Sequence, residues 1–365
     1  MAKVPEILVT FLQRAGSLIE RSQRGIATLI IRDDTDSSFD IKKYTSIPEA
    51  DADKALYTAD NLRQIKDVLL SAPYMTYVVR IGADGKLSDA LAAIKKNIKT
   101  SWVGVANAKP EDAEALVSWI KAQEQRQRYY RAVVFNAAAP DNKHVVNFCN
   151  EKVTFADKER GEKEGKEYVA SLLGILASCN IKRGSTNYRC ANLVNVQEVA
   201  DNAAAVKAGK FILYNANVDE VRVVSGCNSL TTTNGTTLTE DMQYIETVEA
   251  MDLISDDIIR TFKETYLGNY RNNLDNQMLF ISAVNAYFRE LAQPGTDVLD
   301  REYQNTAQID VEEQRAAWMG TGKEEAKGWD ADKVRKMTFK RSVFIMADIK
   351  ILGSMENLHF VVNMA

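Results

Sequence analysis

The sequence predicts a multi-domain chain, an α/β domain followed by an α+β domain of helices with a small sheet at the chain's end. Three observations carry this. Between Ile26 and Phe148 short apolar runs alternate with segments of helical periodicity, the pattern of a partly parallel sheet with crossover helices. After the polar run Ser229-Leu-Thr-Thr-Thr-Asn-Gly-Thr-Thr the chain turns mainly helical. Both chain ends read as hydrophobic strands, which links the fold prediction to assembly.

Taken in order, Val4 to Leu12 reads as a strand and is followed by polar sequence, Arg14-Ala-Gly-Ser, so it is separable from the body. Ile26 to Ile31 is a second strand, ending in the charged turn Arg32-Asp33-Asp34-Thr35-Asp36. Leu62, Ile65, Val68 and Leu69 share one helical face. Tyr74 to Ile81 is a strand, and Leu87, Leu91 and Ile94 mark another helix. Trp102 to Ala106, a helix opening at Pro110 and Arg131 to Asn136 form a strand-helix-strand unit, with Glu111 and Asp112 at the positive helix end. Val145 to Phe148 is a further strand. The charge run Asp157 to Lys166 reads as a solvated loop or helix start, and Glu167 to Ala177 as a helix. Val199, Ala203 and Val206 lie on a helix stopped by Gly209; Lys210 to Asn215 and Val221 to Val224 read as a hairpin. A helix through Ile254, Ile258, Phe262 and Tyr266 is expected to start at Ser255 as N-cap. Further helices run from Leu274 to Leu291 and from Val311 to Met319. Two alternating strands close the chain, Val343 to Ile351 and Leu358 to Met364. The expected divisions are 1–24, 25–228, 229–354 and 355–365.

Composition narrows function. Of 365 residues, 45% are hydrophobic and 26% charged, with net charge -4, so neither long disorder nor a nucleic-acid or anionic-membrane partner is indicated. Cys149, Cys179, Cys190 and Cys227 form no C-x-x-C pair, and only His144 and His359 could join them, so no metal site is expected and the thiols read as reduced and buried. Gly85-Lys86, Gly209-Lys210 and Gly322-Lys323 lack the rest of a phosphate loop, and neither histidine lies near a nucleophile-elbow serine. The start shows no signal-peptide layout and no run of about 18 apolar residues occurs, so folding in a cytoplasm and release by lysis are expected. No catalytic residue and no cofactor is assigned. The strand-like ends must find partners for their backbone groups, either within the subunit or in a neighbour's sheet.

Three segments resemble the contractile tail sheath family, closest to sheath proteins of defective-prophage and R-type bacteriocin particles of Gram-positive bacteria. The first is Val199 to Phe211 followed by Glu220-Val-Arg-Val-Val-Ser-Gly-Cys-Asn-Ser-Leu-Thr-Thr. The second is Ile254-Ser-Asp-Asp-Ile with Tyr266-Leu-Gly-Asn-Tyr-Arg-Asn-Asn; the third runs from Val343 to Met364. The N-terminal half matches mainly in element order, and the β-sandwich insertion of larger relatives is missing between Ile81 and Trp102.

The resemblance implies a subtilisin-like middle domain without protease residues and a structural role without catalysis. Subunits would stack as hexameric rings around an inner tube, meet baseplate and tail terminator proteins, and contract from a metastable extended state to drive the tube through a target envelope. It implies strand exchange, with Ile7, Val9 and Phe11 in one arm and Leu358, Phe360 and Val362 in the other. The receiving sheet would hold Val343, Ile345 and Ile349. The charged segment Val311 to Lys336, with Glu312, Arg315, Lys323 and Lys327, is the candidate tube-facing surface; a solvated helix and loop is its plainer reading. A soluble α/β enzyme, or a tube or baseplate subunit, are the alternatives.

Overall fold

A computed structural model describes residues 24–179 and 183–362. These divide into two compact units, and the division falls between Asp252 and Leu253. One unit comprises residues 24–252 with 353–362, the other Leu253–Leu352. The expected boundary at 228/229 lies within the first.

In chain order the first unit contains β1 (Ile26–Arg32), β2 (Ile41–Tyr44), α1 (Ile47–Ala52), α2 (Ala59–Leu69), β3 (Met75–Ile81), α3 (Leu87–Asn97), β4 (Trp102–Val105), α4 (Pro110–Glu124), β5 (Arg131–Phe135) and β6 (Val145–Phe148). It continues with β7 (Lys152–Phe155), β8 (Glu162–Glu164), α5 (Val169–Ser178), β9 (Leu193–Val196), α6 (Asn202–Lys207), β10 (Lys210–Phe211), β11 (Leu213–Asn217) and β12 (Glu220–Val223). Seven strands form one sheet in the order β10-β6-β5-β4-β1-β3-β2, parallel except where β2 runs against β3. Its inner strands are continuous apolar runs because both faces are covered. Ile30, Val103, Val105 and Val134 meet Leu91, Ile94, Leu116 and Ile120 of α3 and α4 on one side. Leu29, Ile31, Val78 and Val133 meet Ile65 and Val68 of α2 and Leu172 and Leu173 of α5 on the other. Helix α5 is apolar on all sides because it is buried on all sides. Its Gly174 lets two backbones touch: a Cβ there would lie 2.1 Å from the Val68 carbonyl oxygen. Between β3 and β4 the chain makes α3 alone, so no β-sandwich is inserted.

Several sequence expectations need correction. The charge run Asp157 to Lys166 is not wholly loop: β8 pairs with β7, which pairs with β9, in a three-stranded antiparallel sheet. Its side chains stay exposed, which left no apolar alternation to read. Lys210 and Phe211 join the large sheet, and the hairpin is Leu213–Asn217 with Glu220–Val223.

The Asn228-Ser-Leu-Thr-Thr stretch is a clasp rather than a free linker. The Asp141 carboxylate accepts from the backbone N–H and hydroxyl groups of both Thr231 and Thr232. Ser229 Oγ donates to the Asn142 carbonyl at 2.9 Å. Partial burial disfavours the Asp141 anion, yet these donors hold its pKa down to about 2. Asp141→Ala is expected to strand those donors and lower unfolding free energy by about 1–2 kcal/mol, read from urea midpoints at unchanged slope. An unchanged midpoint would remove the clasp.

The four cysteines are buried free thiols. Burial pushes Cys149 up to about 11 and Cys179, Cys190 and Cys227 up to about 12.

Helix α7 (Ile245–Thr261) crosses the division between the units. It starts at Ile245, so Ser255 is a mid-helix residue and not the expected N-cap. The first turns carry Ile245, Val248 and Leu253 on the buried side, but acidic residues between them mask the period. A π-helical turn over Phe262–Tyr266 ends it. The second unit then holds α8 (Leu274–Leu291), β13 (Thr306–Ile309), α9 (Val311–Met319), α10 (Ala331–Lys336) and β14 (Ile345–Asp348). Phe280, Ile281, Val284, Tyr287, Phe288 and Leu291 of α8 are buried, as are Ala307 and Ile309 of β13. A small satellite core joins Ala326, Trp329 and Val334 with Trp318 and Met337.

Candidate assembly interface

The closing sheet of the second unit has two strands. Antiparallel β13 and β14 pair Thr306 with Asp348, Ala307 with Ala347, Gln308 with Met346 and Ile309 with Ile345. The expected strand Val343 to Ile351 is thus shortened to Ile345–Asp348: a ladder extends only as far as its partner, and β13 has four residues. Val343 lies just before β14 and Ile349 just after it, both half-buried like Ile345. Past β14, Ile351 makes an isolated bridge to Leu299.

The direction of the backbone groups follows from the hydrogen bonds. The Phe344 carbonyl accepts from Asp310 N–H at 3.0 Å, and the Lys350 carbonyl from Asp300 N–H at 2.8 Å. Even-numbered residues therefore turn their backbone groups toward the 298–310 strand. In an antiparallel pair the alternate residues face the other way, so Ile345, Ala347 and Ile349 present N–H and C=O on the far edge. Among the described residues nothing pairs with that edge. The side chains of these three residues share a face with Ala307 and Ile309, and this apolar layer runs out at β14, where Ala347 is exposed.

In the first unit the terminal segment 353–362 forms no strand, contrary to expectation. Its start is tied down: Ser354 donates backbone N–H and hydroxyl to the Glu246 carboxylate, and Thr186 donates to Glu356. Beyond that it stands in solvent, with Leu358 87%, Phe360 80% and Val362 63% exposed. Alternation is present, but a strand needs a ladder partner, and none occurs among the described residues. Ile7, Val9 and Phe11 lie outside the described residues.

The four candidate tube-facing residues are not equivalent. Glu312 and Lys327 are exposed. Arg315 pairs with Glu312 and donates to the Trp329 carbonyl at 3.3 Å. Lys323 lies 5.0 Å from the Trp318 ring and 5.2 Å from that of Trp329. These two cations are partly committed to local packing.

A buried charge network, whose members the sequence did not single out as a group, fastens α7 in the first unit. Arg131 of β5 donates to Asp252 at 2.6 Å, and Trp102 Nε1 donates to Glu249 at 3.0 Å. His144 Nε2 lies 3.0 Å from Asp252, and its Nδ1 faces Glu124 at 3.4 Å without hydrogen-bond geometry. Burial disfavours the charged His144 ring, but the Asp252 and Glu124 carboxylates outweigh it and raise its pKa. Burial likewise opposes ionisation of both acids, yet His144 with Asn142 and Lys143 holds Glu124 at about 2, and Arg131 with His144 lowers Asp252. Buried and held mainly by its own charged partners, the cluster has the form of an anchor. Among the described residues no His, Cys, Asp or Glu group is arranged to hold a metal, and no helix is long and apolar enough to cross a membrane.

Residues 237–365 match the phage tail sheath C-terminal domain. A tail sheath protein of Clostridium phage phiCD119 is 28% identical over 375 residues, covering 100% of both chains. In fold, the sheath tail protein of Desulfitobacterium hafniense superposes with a TM-score of 0.66 at 15% identity, over 84% of this chain and 94% of that one. The helical sheath of the anti-feeding prophage, in its contracted state, gives 0.70 at 12% identity over 100% and 99%. With the family domain matched over residues 237–365, a relative aligned along its whole length and the sheath fold throughout, the chain is similar to the phage tail sheath proteins.

Proposed function

We infer that this sheath subunit polymerises as stacked hexameric rings around an inner tube and contracts from a metastable extended state, driving the tube through a target cell envelope. The observation that carries the reading is a complementary pair on one chain. Among the described residues, the alternating apolar side chains of the segment 353–362 have no partner, and neither has the outer backbone edge of β14. Strand addition between copies satisfies both, with backbone hydrogen bonds for affinity and alternate side chains for register. The segment around Ile7, Val9 and Phe11 is assigned the second arm.

Such links persist while the bodies of the subunits move, so contraction draws on packing differences summed over many copies and needs no nucleotide. Sheath proteins are structural, and this reading uses no catalysis and no cofactor. Glu312 of α9 and Lys327 of the turn that follows it are the tube-facing charges, with Arg315 and Lys323 holding this region together. The baseplate and the tail terminator are the end partners. Assembly in a bacterial cytoplasm, followed by release of the particle on lysis, completes the reading for a phage tail or an R-type bacteriocin.

Electron microscopy of the purified protein, alone and with its tube, tests this. Hollow helical cylinders are expected; discrete globular particles under both conditions would overturn it.

A further inference from the structure

We propose that the closing sheet accepts an incoming strand on one side alone, because Asn285 of α8 occupies the free edge of β13. The Asn285 amide mimics a strand. Its Oδ1 accepts from the Ala307 N–H at 2.6 Å, and its Nδ2 donates to the Ala307 carbonyl at 3.1 Å. Both outward backbone groups at the middle of β13 are thereby taken. A neighbouring strand on this side would have to displace a formed pair of hydrogen bonds and enter where α8 packs.

The β14 side differs in each respect. Among the described residues, nothing pairs with the outward backbone groups of Ile345, Ala347 and Ile349, and nothing covers the end of the apolar layer they share with Ala307 and Ile309. The occupant assigned to it is the terminal segment Leu358 to Val362 of a second copy. Leu358, Phe360 and Val362 alternate, so that one face of the added strand continues that apolar layer. Each is more than half exposed on its own subunit. Any further strand, including the N-terminal arm of another copy, must then pair with this incomer and not with β13. Sheet growth becomes ordered, one arm before the next. This inference rests on the assembly reading above.

Disulfide trapping separates the two. Met346 and Gln308 are exposed on the outer face of β14 and β13. His359 and Val361 alternate with the inward apolar residues of the arm. Adjacent strands lie about 4.8 Å apart and second neighbours about twice that, and a disulfide needs Cβ atoms within about 4.5 Å. Assembled protein carrying Met346→Cys with His359→Cys or Val361→Cys is expected to crosslink between copies, at least tenfold more than the same arm with Gln308→Cys. Asn285→Ala is expected to make the Gln308→Cys crosslink appear. Equal trapping at both strands, or trapping at Gln308→Cys alone, overturns the one-sided sheet while leaving strand exchange standing. Trapping of Leu8→Cys or Thr10→Cys, the alternates of Ile7, Val9 and Phe11, at Met346→Cys in place of the C-terminal positions overturns the choice of occupant. Cylinders that trap neither arm overturn strand exchange itself, and this inference with it. Should Asn285→Ala not fold, the Met346 and Gln308 comparison with Asn285 intact still decides.

Discussion

Removal of residues 358–365 is expected to leave a folded monomer that no longer polymerises. Leu358, Phe360 and Val362 are mostly exposed, so the subunit loses almost no buried surface with them. The tether through Ser354 and Glu356 remains. The lost linkage is larger. Burying one Leu, Phe or Val is worth about 1.5–3 kcal/mol, and each backbone hydrogen bond adds roughly 1 kcal/mol net. Even after the cost of ordering the segment, a net loss of about 4 kcal/mol per contact weakens each link about a thousandfold. Multiplied along a helical lattice, that abolishes cylinders. Sedimentation velocity and thermal melting on the same sample check it. A truncated protein that still forms cylinders, or one that melts at least 10 °C lower, would show the segment to be intramolecular in function.

Asp252→Ala is expected to produce a large loss of stability in the first unit. It leaves Arg131, 4% exposed, and His144, 2% exposed, without their shared carboxylate. Breaking a buried pair from one side costs about 3–5 kcal/mol. In a chain of 365 residues that corresponds to a melting point lower by roughly 5 °C. The pH dependence identifies the cause. A raised His144 pKa stabilises fully below its unfolded value, and this contribution is lost as pH rises through the folded value. The depressed acids act oppositely: their contribution is present above their ordinary range near 4 and is lost as pH falls, for Glu124 toward about 2. Wild-type stability from this cluster is therefore greatest in mildly acidic solution. Asp252→Asn, which keeps the shape without the charge, is expected to flatten the decline between about pH 6 and 8, because His144 loses the carboxylate that raises it. Melts from pH 4 to 9 read this. An unaltered slope would separate α7 from the His144 titration.

Much of the architecture was legible because the relevant signals are local. The apolar runs of β1, β3, β4 and β5 and the periodic faces of α2, α4 and α8 appear in the sequence with small boundary errors. The failures have a common origin in long-range pairing. Strand β8 is built from Glu162, Lys163 and Glu164 and owes its conformation to β7. Strand β13, Thr306 to Ile309, went unread because it lies in polar sequence and is set by β14 and by Asn285. The start of α7 was misplaced because Glu249 and Asp252 face inward, where a helical pattern should be apolar; their partners Trp102, Arg131 and His144 lie more than a hundred residues away. The interface was half legible. The alternation of Leu358, Phe360 and Val362 pointed to a strand, but the pairing of Asn285 with the backbone of Ala307, on which the proposed choice of edge rests, follows from no periodicity.

The buried thiols bear on how copies of the chain can meet one another. Cys149, Cys179, Cys190 and Cys227 stay protonated far above neutral pH and are shielded from solvent, so they are slow to oxidise and slow to exchange. Copies of the chain packed side by side in an oxidising medium therefore have no reactive sulfur among these four with which to weld to one another, and a polymer of the kind proposed above would stay free to rearrange.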